Sequence, residues 1–526
     1  MRYLCVLAVF AMSCGDDAAN NADAMIGDDG GGDAAIDGSV DAPTCGGAGS
    51  AEMLCSGACV DTSSDPDHCG DCMTECTGAT PACAAGDCVS PLSTAWVKHY
   101  GGAEFGNGIS AVATDGAGNV YVTGYFFGTI NLGGTDLVSS GIQEIVVASF
   151  APDGTHRWST RFGGVGSDQG AGMTVVGGKV YVTGSYSMSV DFGGGVRTSA
   201  GFGDIFLLVL SAADGSYVAD RVYGDVDDDA GLDVVVDANG NVTFGGFFNP
   251  GSLSFGGGNS ITTLAFSGFI ASIDATGAHR WSRRLGGNTA ADISSMQSLA
   301  IDAAGNVAIA LEFEGTDDFG DGMQASAGNN FDALVASYTP AGALRWKRQF
   351  GAAQSDTAES IAIDSAGNVL VGGGFHGTVN FGAATLVQSG VIDGWAAILD
   401  GASGTPRWAR KIGSASSSAV RAVAFDPDDN AIISATIEGA TDLGTGALTM
   451  FDEYDIMLAD MGKAAGATTF AKIYGGDDFE GGNAMAITNG GAIVLGGYFR
   501  TTVDLGLPGP TVGGMRDNAF VMLIAR

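Results

Sequence analysis

A unit of about 62 residues, repeated seven times from residue 96 to the C-terminus, constrains this chain more than any other feature. An aromatic residue followed five positions later by Gly marks each copy. The glycines are Gly101, Gly163, Gly224, Gly286, Gly351, Gly413 and Gly475, and the aromatic position holds Trp96, Trp158, Ala219, Trp281, Trp346, Trp408 and Phe470. A second marker, Phe or Leu before Gly, falls at Leu132, Phe192, Phe255, Phe319, Phe381, Leu443 and Leu505, at intervals of 60, 63, 64, 62, 62 and 62. The third is the turn DGAGNV with its relatives DANGNV, DAAGNV, DSAGNV and DPDDNA. Each copy carries four short runs rich in Val, Ile and aromatics, such as VYVTGYF, IVVASF and HRWSTRF, bounded by Gly-Asn or Asp-Gly turns. No stretch keeps a long 3.6-residue period. The expectation is an all-β chain whose residues 93–526 form a seven-bladed β-propeller of four-stranded antiparallel blades.

The chain ends test that expectation independently. The last copy stops after its third strand, AFVMLIAR at 519–526, and an orphan fourth strand, WVKHYGG at 96–102, precedes the first copy. Pairing the two completes the final blade and leaves no exposed sheet edge at the seam. The prediction is that residues 94–100 form the outer strand of the last blade. The string VDFGGGVRTSAGFGDIFLLVL, residues 190–210, and its neighbours resemble the bacterial β-propeller repeat family SBBP of exported proteins. That resemblance implies architecture and says nothing of chemistry, because propellers host many functions.

Residues 1–14, MRYLCVLAVFAMSC, place one basic residue before a short apolar run and a cysteine, and resemble a bacterial lipoprotein signal. The resemblance implies a signal peptide over 1–13 and lipidation of Cys14, with an ordinary signal peptide as the alternative. Residues 14–44 are nearly all Gly, Asp, Ala and Asn, without Lys or Arg. Such a segment cannot bury enough apolar surface to offset chain entropy and reads as a disordered tether. Gly15 rather than Asp after the lipidated cysteine favours the outer membrane or cell surface.

Eight cysteines crowd residues 45–90: Cys45, Cys55, Cys59, Cys69, Cys72, Cys76, Cys83 and Cys88. An even count, an exported chain and no cysteine beyond 88 point to a disulfide module, of which 105 pairings are possible. Zinc at Cys69 and Cys72 is the competing reading, weakened by an oxidising compartment and a single local histidine, His68. The run LCSGACVDTSSDPDHCGDCMTEC, 54–76, resembles a cysteine-rich module of secreted and lipid-anchored myxobacterial proteins.

Repetition also filters candidate sites, because a residue found in most copies is structural. Glu144, Asp204, Asp332, Asp393, Asp455 and Asp517 open third strands, with Ser267 the exception, and backbone capping explains them better than a ring of cation ligands. Arg157, Arg280, Arg345 and Arg407 precede the repeat aromatic and are candidates for pairing with neighbouring acids. His156 and His279 share one repeat position. The one blade-specific cluster is GDVDDDAGLD, where Asp225, Asp227 and Asp229 alternate as in a calcium loop, although Gly231 is one position late and no terminal Glu follows. Calcium there is the only cofactor expectation, and no catalytic residue is assigned.

The chain carries 22 Lys and Arg against 59 Asp and Glu, a net charge of -37, which repels phosphate backbones and argues against nucleic-acid binding. No apolar run reaches the roughly 18 residues a membrane helix needs, so membrane attachment is expected through a lipid anchor alone. The functional expectation is a monomeric, non-enzymatic, lipid-anchored protein of the envelope or cell surface whose propeller binds or scaffolds a protein or glycan. The alternative is a polysaccharide-active hydrolase or lyase, with carboxylates of unlike blades meeting over the channel. DATGAHRW (274–281) and DGTHRW (153–158) are similar to the Trp-docking repeat of quinoprotein dehydrogenases. Seven copies rather than eight, and no adjacent cysteines in the repeats, leave that a minor alternative.

Overall fold

The repeated turn makes its own hydrogen bonds, which is why five of the seven copies start as a hairpin of the same kind. Asp115 Oδ1 accepts the amide protons of Ala117 and Asn119 at 3.0 and 2.9 Å, and Asn119 Nδ2 donates back to Oδ2 at 2.8 Å. Asp237, Asp302, Asp364 and Asp426 do the same with Asn241, Asn306, Asn368 and Asn430. Gly118 sits at φ 77° in this turn; in DPDDNA the same left-handed position is taken by Asp429 at φ 64°.

These hairpins belong to a ring. The structure is a computed structural model that describes residues 92–101, 106–287, 289–328, 330–382, 384–444, 446–448, 450–451, 454–514 and 516–526, together with the backbone of strands Glu52–Cys55, Ala58–Asp61, Ala82–Ala84 and Asp87–Val89. The four short strands pair as two antiparallel hairpins. The side chains of the eight cysteines, and all of residues 1–51 including Cys14, lie outside the described residues.

Seven antiparallel sheets follow in chain order, each with the strands 1-2-3-4 side by side. Blade 1 comprises Gly108–Thr114, Val120–Phe126, Glu144–Phe150 and His156–Phe162. The first strands of blades 2 to 7 are Gln169–Val176, Asp229–Val236, Ile293–Ile301, Ser360–Ile363, Ser418–Phe425 and Glu480–Ile487. Each first strand lies against that of the next blade, and the seventh lies against the first, so these strands line a closed channel. Third strands such as EIVVASF and DALVASY are buried at every position, because neighbouring blades cover both faces.

Closure follows the chain ends as predicted. Ser93–Tyr100 is the fourth strand of blade 7, pairing antiparallel with Asn518–Ala525 from Ala519↔Tyr100 to Ala525↔Ser93. Leu92, just before it, is buried, and its carbonyl oxygen accepts Tyr474 Oη–H at 2.8 Å and Lys472 Nζ–H at 3.0 Å.

The repeat aromatic ties each blade to the next. Indole Nε1 of Trp96, Trp158, Trp281, Trp346 and Trp408 donates to the carbonyl of Pro152, Ala212, Pro340, Gly401 and Lys463, each in the following blade's turn between third and fourth strands, at 2.8 to 3.1 Å. A left-handed Gly in the same turn lies flat under the ring: a Cβ on Gly404 would stand 2.5 Å from Trp346 Cε3. Where blade 2 has Ala219, Arg221 takes over, its Nη2 donating to Thr276 O at 2.7 Å.

The Phe/Leu-Gly marker has a role that four strands per copy did not anticipate. Each blade carries an extra two-stranded hairpin between strands 2 and 3, such as Ser189–Asp191 with Val196–Thr198 in blade 2. The marker side chain plugs the seam with the preceding blade: Phe192 lies 6.0 Å from Phe162, Phe255 5.1 Å from Tyr223, and Phe381 stacks on Phe350 at 5.0 Å.

One register needs correcting. Third strands open on Glu144, Asp204, Ser267, Asp332, Asp393 and Asp455, but the seventh opens on Asn518, not Asp517. Asn518 does the capping, accepting the Gly514 amide at 3.1 Å, as Asp204 accepts Ala200 N–H and Asp393 accepts Ser389 N–H. Asp517, one residue earlier, bonds Arg500 instead, at 2.5 Å.

Candidate functional site

First strands start, second strands end and third strands start on one face of the ring, so the 2–3 and 4–1 loops crowd around the channel mouth there. Near this mouth the first strand carries a β-bulge in blades 1, 2, 3, 4, 6 and 7. A bulge re-aims one side chain away from the blade. The residues skipped by the register are Ser110, Ala171, Leu232, Gln297, Arg421 and Asn483, and Glu359 stands at the equivalent place in blade 5. All seven line a channel cavity of about 270 Å³. This column holds a different residue in every blade.

Charge concentrates on blades 4 to 6. Arg421 Nη1 donates to Glu359 Oε2 at 2.7 Å, and Thr357 Oγ1 reaches Glu359 Oε1 at 3.3 Å. Glu312, on the second strand of blade 4, accepts Gln297 Nε2–H at 3.2 Å. Burial, with a smaller contribution from the Glu359 charge, pushes the Glu312 carboxyl up to about 7. Asp233 rises to about 6 by burial, opposed by bonds from Leu299 N, Val234 N and Ser298 Oγ. Aromatic rings gather around the same mouth: Phe247 stacks with Phe266 at 4.6 Å, Tyr454 with Phe479 at 5.0 Å, and the Arg500 guanidinium lies 5.2 Å over Phe479.

The loop tips of this face stand out for what they expose. Ile142, Phe202, Leu264, Val391 and Phe451 project from 2–3 loops, and Val165 and Val226 from 4–1 loops, each more than half exposed. Phe202 is 75% exposed, the most of any large apolar residue described. Five blades of seven thus carry an apolar loop tip on the channel-mouth face, a surface typical of an interaction site.

The predicted site residues occupy other roles. Asp229 opens the first strand of blade 3, its carboxylate accepting Asp225 N–H at 2.9 Å and Asn249 N–H at 3.3 Å. Asp168 and Asp356 hold the same place in blades 2 and 5 with the same pair of amides, so Asp229 belongs to a repeated brace and is not blade-specific. Asp225 accepts Asp227 N–H and Ser252 N–H. Among the described residues no group of three or more His, Cys, Asp or Glu is placed to hold a metal ion. Of the four arginines, Arg407 alone pairs with an acid, Asp400 at 3.0 Å; Arg157, Arg280 and Arg345 bond Ser149, Ser272 and Ser337 of the third strand. His156 and His279 bond Ser159 and Ser282 identically. Gln297, Glu312, Glu359 and Arg421 escaped the sequence reading. The signal that finds Gln297, Glu359 and Arg421 is a column of the repeat in which no two blades carry the same residue.

The brace acids make the fold pH-dependent. Each meets the third-strand acid of the preceding blade at a buried seam. Burial, reinforced by the neighbouring carboxylate, raises Asp168 to about 6, Asp229 to about 7, Asp356 to about 6 and Glu480 to about 9. Unfolded carboxyls titrate near 4, so between about pH 4 and 9 the folded chain holds more protons than the unfolded one. Stability is therefore complete at the acid end of that window and falls as pH rises through 6 to 9. We expect a thermal midpoint several degrees lower at pH 9 than at pH 5, and a shallower fall in Asp229→Asn, which removes one of the titrating groups. A midpoint that rises across this range would contradict the seam assignment.

Comparison with known proteins agrees on class. The family described as Beta-propeller repeat matches residues 345–373, which run from the fourth strand of blade 4 to the second strand of blade 5. The family described as Stigma-specific STIG1-like protein matches residues 33–95. Residues 93–526 form a seven-bladed propeller, and one stretch of it matches the β-propeller repeat family. No curated protein matches the chain. Similar solved structures include the Neurospora crassa Pan2 WD40 domain, at 8% identity and TM-score 0.40, covering 80% of this chain and 89% of that one. BamB from Moraxella catarrhalis has 10% identity and TM-score 0.35, covering 83% and 98%. The quinohemoprotein alcohol dehydrogenase from Comamonas testosteroni has 12% identity and TM-score 0.38, covering 82% and 76%. Likenesses this distant carry no functional argument.

Proposed function

We propose that the protein is a binding or scaffolding module that holds a protein or glycan on the channel-mouth face of its propeller, displayed on the outer membrane or cell surface through a lipid on Cys14. The observation that carries the binding reading is the rim of exposed apolar tips around a channel whose lining differs from blade to blade. Folding leaves such side chains in water only at a cost, and each of the five recurs at the loop tip that faces one direction. A panel of glycans and proteins, probed with the wild type and with Phe202→Ser/Val391→Ser/Phe451→Ser, tests it. A ligand bound by the wild type should bind the variant at least tenfold more weakly; a ligand indifferent to all three changes sinks the reading. For the anchor, labelled palmitate should enter the wild type and not Cys14→Ala.

A second reading, cleavage of a polysaccharide, draws on one observation: Glu312 and Glu359 come from unlike blades beside the channel, one raised to about 7 and the other held by Arg421. Release of reducing ends from a bound polysaccharide, abolished in Glu312→Gln with binding retained, would establish it.

A further inference from the structure

The loop GDVDDDAGLD, inviting as a calcium site, stands beside the most exposed large apolar residues among those described. Gly201 packs against the Val226 backbone and Gly203 bridges to Asp228, so Phe202 and Val226 project side by side at the seam of blades 2 and 3. Val226 is 71% exposed. One seam earlier the arrangement repeats: Ile142 N–H donates to Gly166 O at 3.1 Å, which sets Ile142 beside Val165. Asp227 and Asp228 follow Val226 directly, and Asp228 is exposed. The loops of this sector, 139–143, 163–167, 199–203 and 224–228, contain no Lys, Arg or His. No cation of the chain's own loops therefore answers these acids.

We infer that the blade 1–3 sector of the channel-mouth face docks a cationic amphipathic segment of a partner protein, whose apolar side chains sit on the Ile142–Val165 and Phe202–Val226 pairs while its Lys or Arg side chains meet Asp227 and Asp228. This rests on the binding reading and narrows it to one partner chemistry. Charge complementarity selects the occupant: an acidic or phosphorylated partner would meet like charge, and a neutral glycan would leave the carboxylates without a counter-ion. Apolar anchors in a charged rim concentrate affinity in a few residues, while the charges steer encounter.

Fluorescence anisotropy on the full-length protein tests the inference with three labelled peptides of equal length: alternating Lys and Val, alternating Glu and Val, and Lys with Ser. The Lys/Val peptide should bind at least tenfold more tightly than either of the others and weaken at least fivefold between 50 and 300 mM salt. Phe202→Ser/Val226→Ser should cost at least tenfold, and Asp227→Asn/Asp228→Asn about as much. A charge-matched control on the opposite face, Asp153→Asn/Asp428→Asn, should change binding less than twofold. Equal binding of the Lys/Ser peptide, or equal loss in the control, would overturn the inference as general electrostatic attraction. Calcium binding that is lost in Asp227→Asn/Asp228→Asn, with peptide binding unaffected by Phe202→Ser/Val226→Ser, would overturn it in favour of a metal loop. A panel ligand that is not cationic yet depends on the apolar rim would overturn this inference and leave the binding reading standing. Ligands indifferent to the rim would remove both.

Discussion

A chain beginning at residue 92 should fold to a propeller with the thermal midpoint of the full-length protein, and a chain beginning at residue 103 should not. The difference lies in one strand. Ser93–Tyr100 is the only element of blade 7 drawn from the start of the chain, and it covers the whole edge of Asn518–Ala525. Without it the third strand, buried along most of its length, presents its backbone to water and to other molecules. Trp96 goes with it, and so does its hydrogen bond to Pro152 O in blade 1. Loss of a buried Trp costs about 3–5 kcal/mol by itself. Leu92 O no longer receives Tyr474 and Lys472, and Leu505 O loses Thr94 Oγ1. Marginal net stability makes the sum decisive. The shorter chain should aggregate or melt far earlier, and a synthetic peptide of residues 92–102 added in trans should recover part of the midpoint. Equal midpoints and equal solubility for the two truncations would refute closure by this strand.

The ring was legible because it rests on features that recur. A Phe/Leu-Gly pair in seven copies, an aromatic in six and the Asp-Asn turn in five set the blade count, and the ragged ends set the seam. The Asx turn is readable because Asp and Asn carry their own hydrogen-bonding partners for the backbone. Other features had no such local signal. The extra hairpins are two to four residues per strand, too short for an alternation to show, and they form because the Phe or Leu between them finds a seam to fill. An acid at Asp517 fits the capping pattern of five other blades. An Asn one residue later caps equally well, since its side-chain oxygen accepts the same kind of amide, and Asp517 is released to pair with Arg500. Asp229 read as blade-specific because its brace partners, Asp168 and Asp356, lie in strings that lack the neighbouring acids. The channel column was hidden for a different reason. A bulge changes the direction of one side chain without changing the composition of the strand, so Gln297 and Arg421 look like surface residues of an ordinary strand, and Glu359 stands just before its strand begins.

The same recurrence explains why the indole is the side chain that holds neighbouring blades together, and gives the second large effect. Trp346→Ala should cost about 3–5 kcal/mol, because Trp346 is buried at the seam of blades 4 and 5 and leaves both a cavity and an unanswered Gly401 carbonyl. Trp346→Phe keeps most of the apolar contact and removes the N–H donor, so about 1 kcal/mol is expected. The complementary change is on the other side of the seam. Gly404 is left-handed at φ 68°, and a Cβ there would stand 2.5 Å from the Trp346 ring, so Gly404→Val combines backbone strain with a clash against a rigid ring. Urea unfolding should show it to be as damaging as Trp346→Ala. The double variant Trp346→Ala/Gly404→Val separates the two causes: with the ring gone, the clash disappears and only the strain of a β-branched residue at positive φ remains. Its loss should fall clearly short of the sum of the single losses. Strict additivity would mean that Trp346 and Gly404 act independently, and that the repeated Trp and the repeated Gly do not form one latch between blades.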